Sequence, residues 1–306
     1  MNVLLTAALS LLVALPAHAL VGGASDPNVA DSPWAGVGAV SVNGGVFSGA
    51  LVGSRYVLTA AHVVGGVSPG KVSFVLNAGA GSQVYAAESI IVFPGFTGAQ
   101  PGAGGVWHDD LALIRLATPV DASVPVYGLY GGPLASETVT LVGYGGGGDG
   151  VNGVTSGANA AVKRVGRNRV DQQFVDDDGG SAQEVFVFDF DGPDASSNVF
   201  GPPVKANLTP GETVEAHYAG GDSGSPVFVE DRGVWKIAGI ATFNGSTSSS
   251  GSSVKFGAIG GGTVLASYIP WVETTTTPVP EPHAWLTLLA GLGVIGVRYR
   301  FIRARE

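Results

Sequence analysis

Short apolar runs separated by glycine-rich turns fill the chain between residues 20 and 273. Runs of this length, rich in Val, Ile, Phe and Thr, are typical of β-strands. They are Val37–Val42, Val46–Val52, Tyr56–Leu58, Val72–Leu76, Leu111–Leu116, Val139–Tyr144, Glu184–Phe190, Pro226–Val229 and Trp235–Phe243. No long amphipathic helix is predicted until Thr263–Val272. The pattern therefore predicts an all-β fold, a sandwich or a pair of barrels, followed by a C-terminal helix.

The first residues have the layout of a secretion signal. An apolar run, Val3–Leu15, is followed by the helix breaker Pro16 and then by Ala17-His18-Ala19. A small-x-small ending is the pattern that signal peptidase cleaves, and the run is too short to span a bilayer comfortably. We expect residues 1–19 to be a signal peptide removed by signal peptidase; the alternative is a buried N-terminal helix.

The last residues suggest a second targeting segment. A Thr/Pro linker, residues 274–280, precedes the apolar segment Ala284–Val297, which is followed by four arginines. The apolar part is shorter than the roughly 20 residues that a full span needs. Through Val279-Pro280-Glu281-Pro282, the apolar segment and the basic end, residues 279–306 resemble the PEP-CTERM sorting signal of Gram-negative bacteria. The alternative is a plain C-terminal anchor.

The resemblance to a sorting signal implies recognition by an exosortase, with the chain held at the inner membrane before sorting. It implies an exported protein in the periplasm, at the cell surface or in the extracellular matrix. The anchor would be a transmembrane helix, transient or permanent. It implies nothing about biochemical activity.

Composition excludes several kinds of function. The net charge is −9 and only 13% of residues are charged, whereas nucleic-acid-binding proteins usually present a basic face. The chain has no cysteine, so a disulfide, a thiolate nucleophile and a cysteine-ligated metal are all excluded. We expect no cofactor.

One acidic stretch has the spacing of a metal loop. Asp189, Asp191 and Asp194 form a D-x-D-G-x-D run that could place three carboxylates on one calcium ion. The closing Glu of an EF-hand is absent at its expected place. We favour a solvated acidic loop and expect no metal, with the calcium loop as a weak alternative.

The sharpest local pattern is Gly220-Gly221-Asp222-Ser223-Gly224-Ser225-Pro226. Glycine turns can expose a serine hydroxyl and aim backbone N–H groups at a developing oxyanion. On its own, this is also the composition of an ordinary turn. Ser223 therefore needs partners before it can be considered a nucleophile.

A serine nucleophile needs a base, and a histidine base needs an orienting carboxylate. Two of the five histidines lie in the terminal segments, which leaves His62, His108 and His217. His62 ends an apolar strand, where a histidine is also often a satisfied core residue, and we interpret His108 as a surface loop residue. Asp109 is a neighbouring candidate for the carboxylate, but Asp110 directly precedes the strand Leu111–Leu116, where a charge is costly to bury unless it is paired.

The motifs together resemble the trypsin/chymotrypsin-like serine peptidases over nearly all of residues 20–273. In the family's order they are Leu20-Val21-Gly22-Gly23, Thr59-Ala60-Ala61-His62, Asp110-Leu111-Ala112-Leu113 and Gly221-Asp222-Ser223-Gly224. The resemblance implies two antiparallel β-barrels, at about 20–132 and 133–262, with a closing helix at about 263–273. It also implies an active site in the cleft between the barrels and a protein or peptide substrate.

The resemblance also implies roles for individual residues. Ser223 would be the nucleophile, His62 the base and Asp110 the carboxylate that orients it. The N–H groups of Gly221 and Ser223 would form the oxyanion hole. Thr242 matches the position whose hydroxyl usually supports the carboxylate of Asp110.

Substrate specificity is also suggested by the resemblance. His217 lies where the family places the floor of the primary pocket, with Thr242, Phe243 and Asn244 at its wall. A non-acidic floor argues against a Lys/Arg preference, and we hypothesise a preference for Glu or another polar side chain. Alternatively, the His217 ring only shapes the pocket.

In relatives that need activation, a new apolar N-terminus pairs with the Asp that precedes the catalytic Ser. Here that pair would be Leu20 and Asp222, so removal of residues 1–19 would itself activate the enzyme. Ser48 and Val63 stand where many relatives have a disulfide, so hydrophobic packing is expected to hold that loop. Two other functions stay open: a catalytically silent binding module on the same fold, and a structural protein of the surface matrix.

Overall fold

The computed structural model of the protein describes residues 20–77, 81–98, 106–200, 209–210, 215–246 and 254–277. The predicted signal peptide and the predicted sorting segment lie outside these residues. Within them the chain is mostly β. The strands are β1 Leu20–Val21, β2 Ala24–Ser25, β3 Val37–Val42, β4 Gly45–Gly53, β5 Tyr56–Thr59, β6 Val72–Asn77, β7 Ser82–Val92, β8 Ala112–Leu116, β9 Gly128–Leu129, β10 Thr138–Gly143, β11 Gly147–Asp149, β12 Gly153–Ser156, β13 Arg164–Arg169, β14 Gln172–Val175, β15 Gln183–Asp189, β16 Pro226–Asp231, β17 Val234–Ser246 and β18 Ala258–Val264.

Two α-helices, α1 Ala61–Val64 and α2 Ile269–Thr276, are described together with short 3₁₀ helices at Pro69–Lys71, Ala195–Ser197 and Leu265–Tyr268. The predicted closing helix begins later than residue 263, because Thr263 and Val264 complete β18 by pairing with Val185 and Gly239. The first residues of the predicted linker are helical, since α2 continues to Thr276.

The first half of the chain forms a closed antiparallel barrel, in the order β3-β4-β5-β8-β7-β6. Its first hairpin is set by Asn43-Gly44, which both have positive φ, 51° and 86°. Two-residue turns of this sequence match the right-handed twist of the flanking strands, which places Val42 opposite Gly45. Val40, Val57 and Ile114 lie on the same face of the barrel strands and are fully buried, as members of the barrel's core.

The second half forms a nine-stranded sheet, in the order β14-β15-β18-β17-β16-β10-β13-β2, with β9 added beside β17. Only Val170 and Asp171 separate β13 from β14. Their amides donate to Glu137 O and Val187 O, both at 3.0 Å, so the extended segment links the pairing of β13 with β10 to the pairing of β14 with β15. The strands β10, β13–β14, β15, β18, β17 and β16 therefore close on themselves.

This second ring has its own apolar core, which includes Leu141, Phe186, Phe188, Val227 and Ala241. Leu20 belongs to the same core and is fully buried. The predicted fold class, two antiparallel barrels followed by a C-terminal helix, is confirmed.

By its internal contacts, the chain divides into residues 1–270 and 271–306. All strands lie in the first unit; in the second, residues 271–276 continue α2. Among the described residues, no helix is long and apolar enough to cross a membrane. The predicted domain limits and transmembrane segment stay predictions.

Candidate active site

His62 and Asp110 are joined by two hydrogen bonds. His62 lies in α1, directly after β5, and Asp110 lies just before β8, which pairs with β5. His62 Nδ1 is 2.6 Å from Asp110 Oδ2, and the main-chain N–H of His62 donates to Asp110 Oδ1 at 2.8 Å. Asp110 is fully buried, whereas the His62 side chain is 21% exposed. One edge of the imidazole is thus fixed by a carboxylate and the other is left for the cleft.

Ser223 is carried on the turn that leads into β16. Asp222 N donates to Ala219 O and Ser225 N to Asp222 O, which curls the chain tightly around the serine. Gly224 has a φ of +81°. A Cβ there would lie 2.1 Å from Thr59 Oγ1 and 2.3 Å from Ser48 O. Only glycine therefore lets this turn approach the end of β5, next to His62.

Ser48 clamps the same turn to the first barrel. Its N–H donates to Ser223 O at 3.0 Å and its hydroxyl donates to Gly221 O at 3.1 Å. The hydroxyl also accepts from Tyr144 N at 2.9 Å. Ser48 is fully buried. These bonds hold the Ser223 turn; the expectation that hydrophobic packing holds the loop where relatives have a disulfide stays a prediction.

A cavity of about 270 Å³ brings His62 and Ser223 together. Gly220 and Asp222 line it beside Ser223, and Thr242, Phe243 and Asn244 line it from β17. Three of the four residues predicted for the substrate pocket thus line this cavity. Gly221, predicted for the oxyanion hole, adopts a φ of +98° that favours glycine.

His217 lies behind this lining. It is fully buried, and its ring packs against Phe188 and Phe190 at centroid distances of 5.5 and 5.8 Å. Nδ1 lies 2.9 Å from Tyr218 O, so the N–H at Nδ1 donates to that carbonyl. Burial lowers the pKa of His217 to about 4, which keeps the ring neutral near pH 7. The residue supports the wall formed by Tyr218 and does not itself line the cavity.

Thr242 and His108 differ from expectation. Thr242 Oγ1 is buried without a hydrogen-bond partner among the described residues, so the expected support of Asp110 is not made. His108 is half-buried, and its Nδ1 lies 3.2 Å from Glu184 Oε2 and 3.6 Å from Asp177 Oδ1. His108 does lie in a loop, as expected, but it is only partly exposed and contacts two carboxylates.

Trp107 is a cavity residue that the sequence analysis missed. Its ring lies 5.2 Å from the His62 ring, centroid to centroid, at an angle of 52°. It lines the same cavity as Thr242, Phe243 and Asn244. The signal in the sequence is a lone tryptophan three residues before Asp110, in a stretch otherwise composed of small and polar residues.

Asp222 is a buried carboxylate whose oxygens accept from two separate segments. Oδ1 accepts from Gly145 N at 2.8 Å and Oδ2 from Ala219 N at 2.9 Å. Burial raises the pKa of Asp222 to about 7, against the opposing influence of these N–H groups and of Arg164. Leu20, the predicted partner, is fully buried and pairs with Gly147, two residues from Gly145.

Arg164 is the second residue that sequence analysis missed. It is only 3% exposed, donates through Nη1 to Gly145 O and through Nη2 to Ser156 Oγ at 3.5 Å. Burial lowers the pKa of Arg164 below its usual value, and the nearby charge of Asp222 opposes this shift without reversing it. The signal in the sequence is that side chains alternate between the two faces of a strand. In β13 this places Arg164 on the buried face together with Gly166 and Asn168.

Among the described residues, two groups of side chains have donor atoms close enough to share a cation. The first comprises Asp189, Asp191 and Glu215, all 1% exposed, with carboxylate oxygens within 4.8 Å of one another. Burial and the charges of its neighbours raise the pKa of Glu215 to about 8. Asp194 is exposed and outside this group, so the solvated-loop interpretation fits Asp194 and is wrong for the other two. The second group is His108, Asp177 and Glu184.

The comparisons with known proteins give the family. No curated protein matches the chain by sequence. The sequence matches the Trypsin family over residues 21–272, which include His62, Asp110 and Ser223. The chain therefore belongs to the Trypsin family.

Proposed function

We propose that this protein is a serine endopeptidase that hydrolyses peptide bonds through Ser223, His62 and Asp110. The observation that carries the proposal is that His62, joined to Asp110 by two hydrogen bonds, lines the same cavity as Ser223. A histidine held in this way by a buried carboxylate is oriented as a general base. Membership of the Trypsin family supports the same chemistry.

In the proposed reaction, the His62 N–H at Nδ1 donates to Asp110 Oδ2, which leaves the Nε2 lone pair free. Nε2 takes the Ser223 proton while Oγ bonds to the substrate carbonyl carbon. The C–N bond then breaks, and His62 gives its proton to the leaving amine. Water attacks the acyl ester with His62 again as base, which releases the acid and restores the Ser223 hydroxyl.

Stabilisation of the oxyanion is assigned to the N–H groups of Gly221 and Ser223. The turn around Ser223 is held by Ser48 on one side and by Ala241 on the other, whose carbonyl accepts from Gly224 N at 2.8 Å. Backbone donors fixed before the substrate arrives need no reorganisation when charge develops. This rigidity supports the assignment.

For specificity, we propose an uncharged polar or small side chain on the acyl side of the cleaved bond. The wall of Thr242, Phe243 and Asn244 is neutral, and Asp222 already accepts two backbone N–H bonds. A neutral His217 attracts a glutamate less than the sequence hypothesis assumed. Cleavage of a peptide library tests this; a strong preference for Arg or Lys would contradict it.

We also propose export, with signal peptidase cleaving after Ala19 and an exosortase acting on residues 279–306. The supporting observation for the first cleavage is the fully buried Leu20, which pairs with β11 close to Gly145 and hence to Asp222. Sequencing the N-terminus of the exported protein tests this step, with Leu20 as the expected first residue. The mass of the exported protein tests the exosortase step, with loss of the C-terminal segment as the expected result.

A fluorophosphonate probe tests the enzymatic proposal directly. The protein should be labelled at Ser223, and the Ser223→Ala variant should fold but stay unlabelled. Ser123→Ala, which removes an exposed serine of the turn between β8 and β9, should be labelled like the wild type. A folded wild-type protein that is neither labelled nor active on casein would favour a silent binding module instead.

A further inference from the structure

Asp222 and Arg164 hold the two polar ends of one residue, Gly145. The N–H of Gly145 donates to Asp222 Oδ1 at 2.8 Å, and its carbonyl accepts from Arg164 Nη1. Gly145 has no room for a side chain, because a Cβ there would lie 2.3 Å from the Asp222 carboxyl carbon. Charge on Arg164 is thus connected to the residue that precedes Ser223 through a single, tightly packed glycine.

The carboxylate of Asp222 needs this positive charge. It is fully buried, and an ionised carboxylate without a cation is costly in such surroundings. The polar groups that face it are the N–H groups of Gly145 and Ala219, the Tyr218 ring from the chain before the turn, the Ser225 hydroxyl from its own turn and Arg164 from β13. Arg164 is the cation in this set.

We propose that Arg164 is a positioning residue that favours the ionised form of Asp222, and the ordered turn of Ser223, whether or not the amine of Leu20 is free. The inference rests on the proposed function and adds a regulatory property to it. Two cations serve one carboxylate: Arg164 permanently, and the Leu20 amine after cleavage. Each then partly compensates for the absence of the other.

The proposal predicts a specific pattern in a double-mutant cycle. The first change is one residue inserted between Ala19 and Leu20. The exported protein then begins with the added residue, and its free amine is displaced from the position of the Leu20 amine. The second is Arg164→Met. We expect each single change to lower kcat about tenfold with little change in KM, because fewer molecules have an ordered turn. Together they should lower kcat by far more than about a hundredfold.

The pH profile separates charge from packing. Without Arg164 the pKa of Asp222 rises further, so the acid limb of kcat/KM should move to higher pH by at least half a unit. Arg164→Lys, which keeps the charge, should restore the wild-type limb. Arg167→Met removes an exposed arginine of the same strand and should leave rate and pH profile unchanged.

The outcomes distinguish this inference from the proposed function. If the wild-type protein is folded but inactive, the proposed function fails. If the wild type is active and the two changes simply multiply, or Arg164→Met leaves kcat and pH profile unchanged, the role of Arg164 is contradicted. Should Arg164→Met not fold, adding Asp222→Asn must restore folding if charge is the cause; failure to do so would overturn the proposal.

Discussion

Asp110 and Asp222 are both fully buried carboxylates, one from each half of the molecule, but they are held in different ways. Both oxygens of Asp110 contact a single residue, His62, through its main chain and its ring. The oxygens of Asp222 contact backbone N–H groups of two distant segments, at Gly145 and Ala219. The first carboxylate orients one side chain, whereas the second pins loops together. Loss of the first should therefore affect chemistry, and loss of the second the order of the site.

The largest effect is expected from Asp110→Asn. The amide cannot hold the His62 tautomer that leaves Nε2 free, so kcat/KM should fall on the order of 10⁴-fold. Circular dichroism should stay like that of the wild type, since the substitution preserves shape. A loss of less than tenfold would mean that Asp110 is not the orienting group.

The seam between the two barrels should be the next most sensitive feature. Gly224→Ala combines a positive φ with a Cβ too close to Thr59 and Ser48, and should lower the free energy of unfolding by about 3 kcal/mol. Gly233→Ala has the same φ of +81° with nothing within 4 Å of the new Cβ. It should cost only about 1 kcal/mol. Urea unfolding measures both, and equal losses would contradict the close approach at Gly224.

Asp222 should make stability fall as pH rises. Its pKa is raised from 3.8 to about 7, so the folded state holds a proton that the unfolded chain has released. The contribution of Asp222 to the free energy of unfolding is therefore complete below about pH 4. It declines toward pH 7 by at most about 1.4 kcal/mol per pH unit. Asp222→Asn should show a shallower decline between pH 5 and 7 in urea unfolding. Glu215, whose pKa is raised to about 8, contributes in the same direction to both proteins. Equal slopes would contradict the assignment to Asp222.

The smallest effect is expected from an exposed carboxylate. Glu88 is paired with Arg55 at 3.1 Å and Arg115 at 3.3 Å, all partly exposed. Glu88→Gln should change the free energy of unfolding by less than about 1 kcal/mol, because water screens such pairs. A larger change in the free energy of unfolding would contradict the expectation that an exposed carboxylate contributes less than the buried Asp110 and Asp222.

The sequence predicts well what depends on residue type and local order. The all-β class follows from the short apolar runs, and the position of Asp110 at the mouth of a buried strand predicted a paired carboxylate. His62 and Asp110 are 48 positions apart, but pairing of β5 with β8 brings them together. That β5 pairs with β8, and not with another strand, was not predicted; the resemblance to a known family implied only that Asp110 orients His62.

What the sequence did not predict depends on partners that are distant along the chain. Ser48 holds a turn 173 positions away through Gly221, and nothing in its own neighbourhood indicates this. Glu215 completes a carboxylate group with Asp189 and Asp191, although the local D-x-D-G-x-D pattern suggested Asp194. Spacing on a loop predicts ligands only when the loop itself supplies them.

The pairing of the first strands has a consequence for how the chain folds as it emerges. Residues 37–116 contain every strand of the first barrel, so this barrel can close early. In contrast, β1 pairs with β11 and β2 with β13, strands that come more than a hundred residues later. Contacts so distant in sequence form slowly. The segment that starts with Leu20 therefore stays accessible while the second barrel is completed, which would leave time for the proposed cleavage before Leu20 is buried.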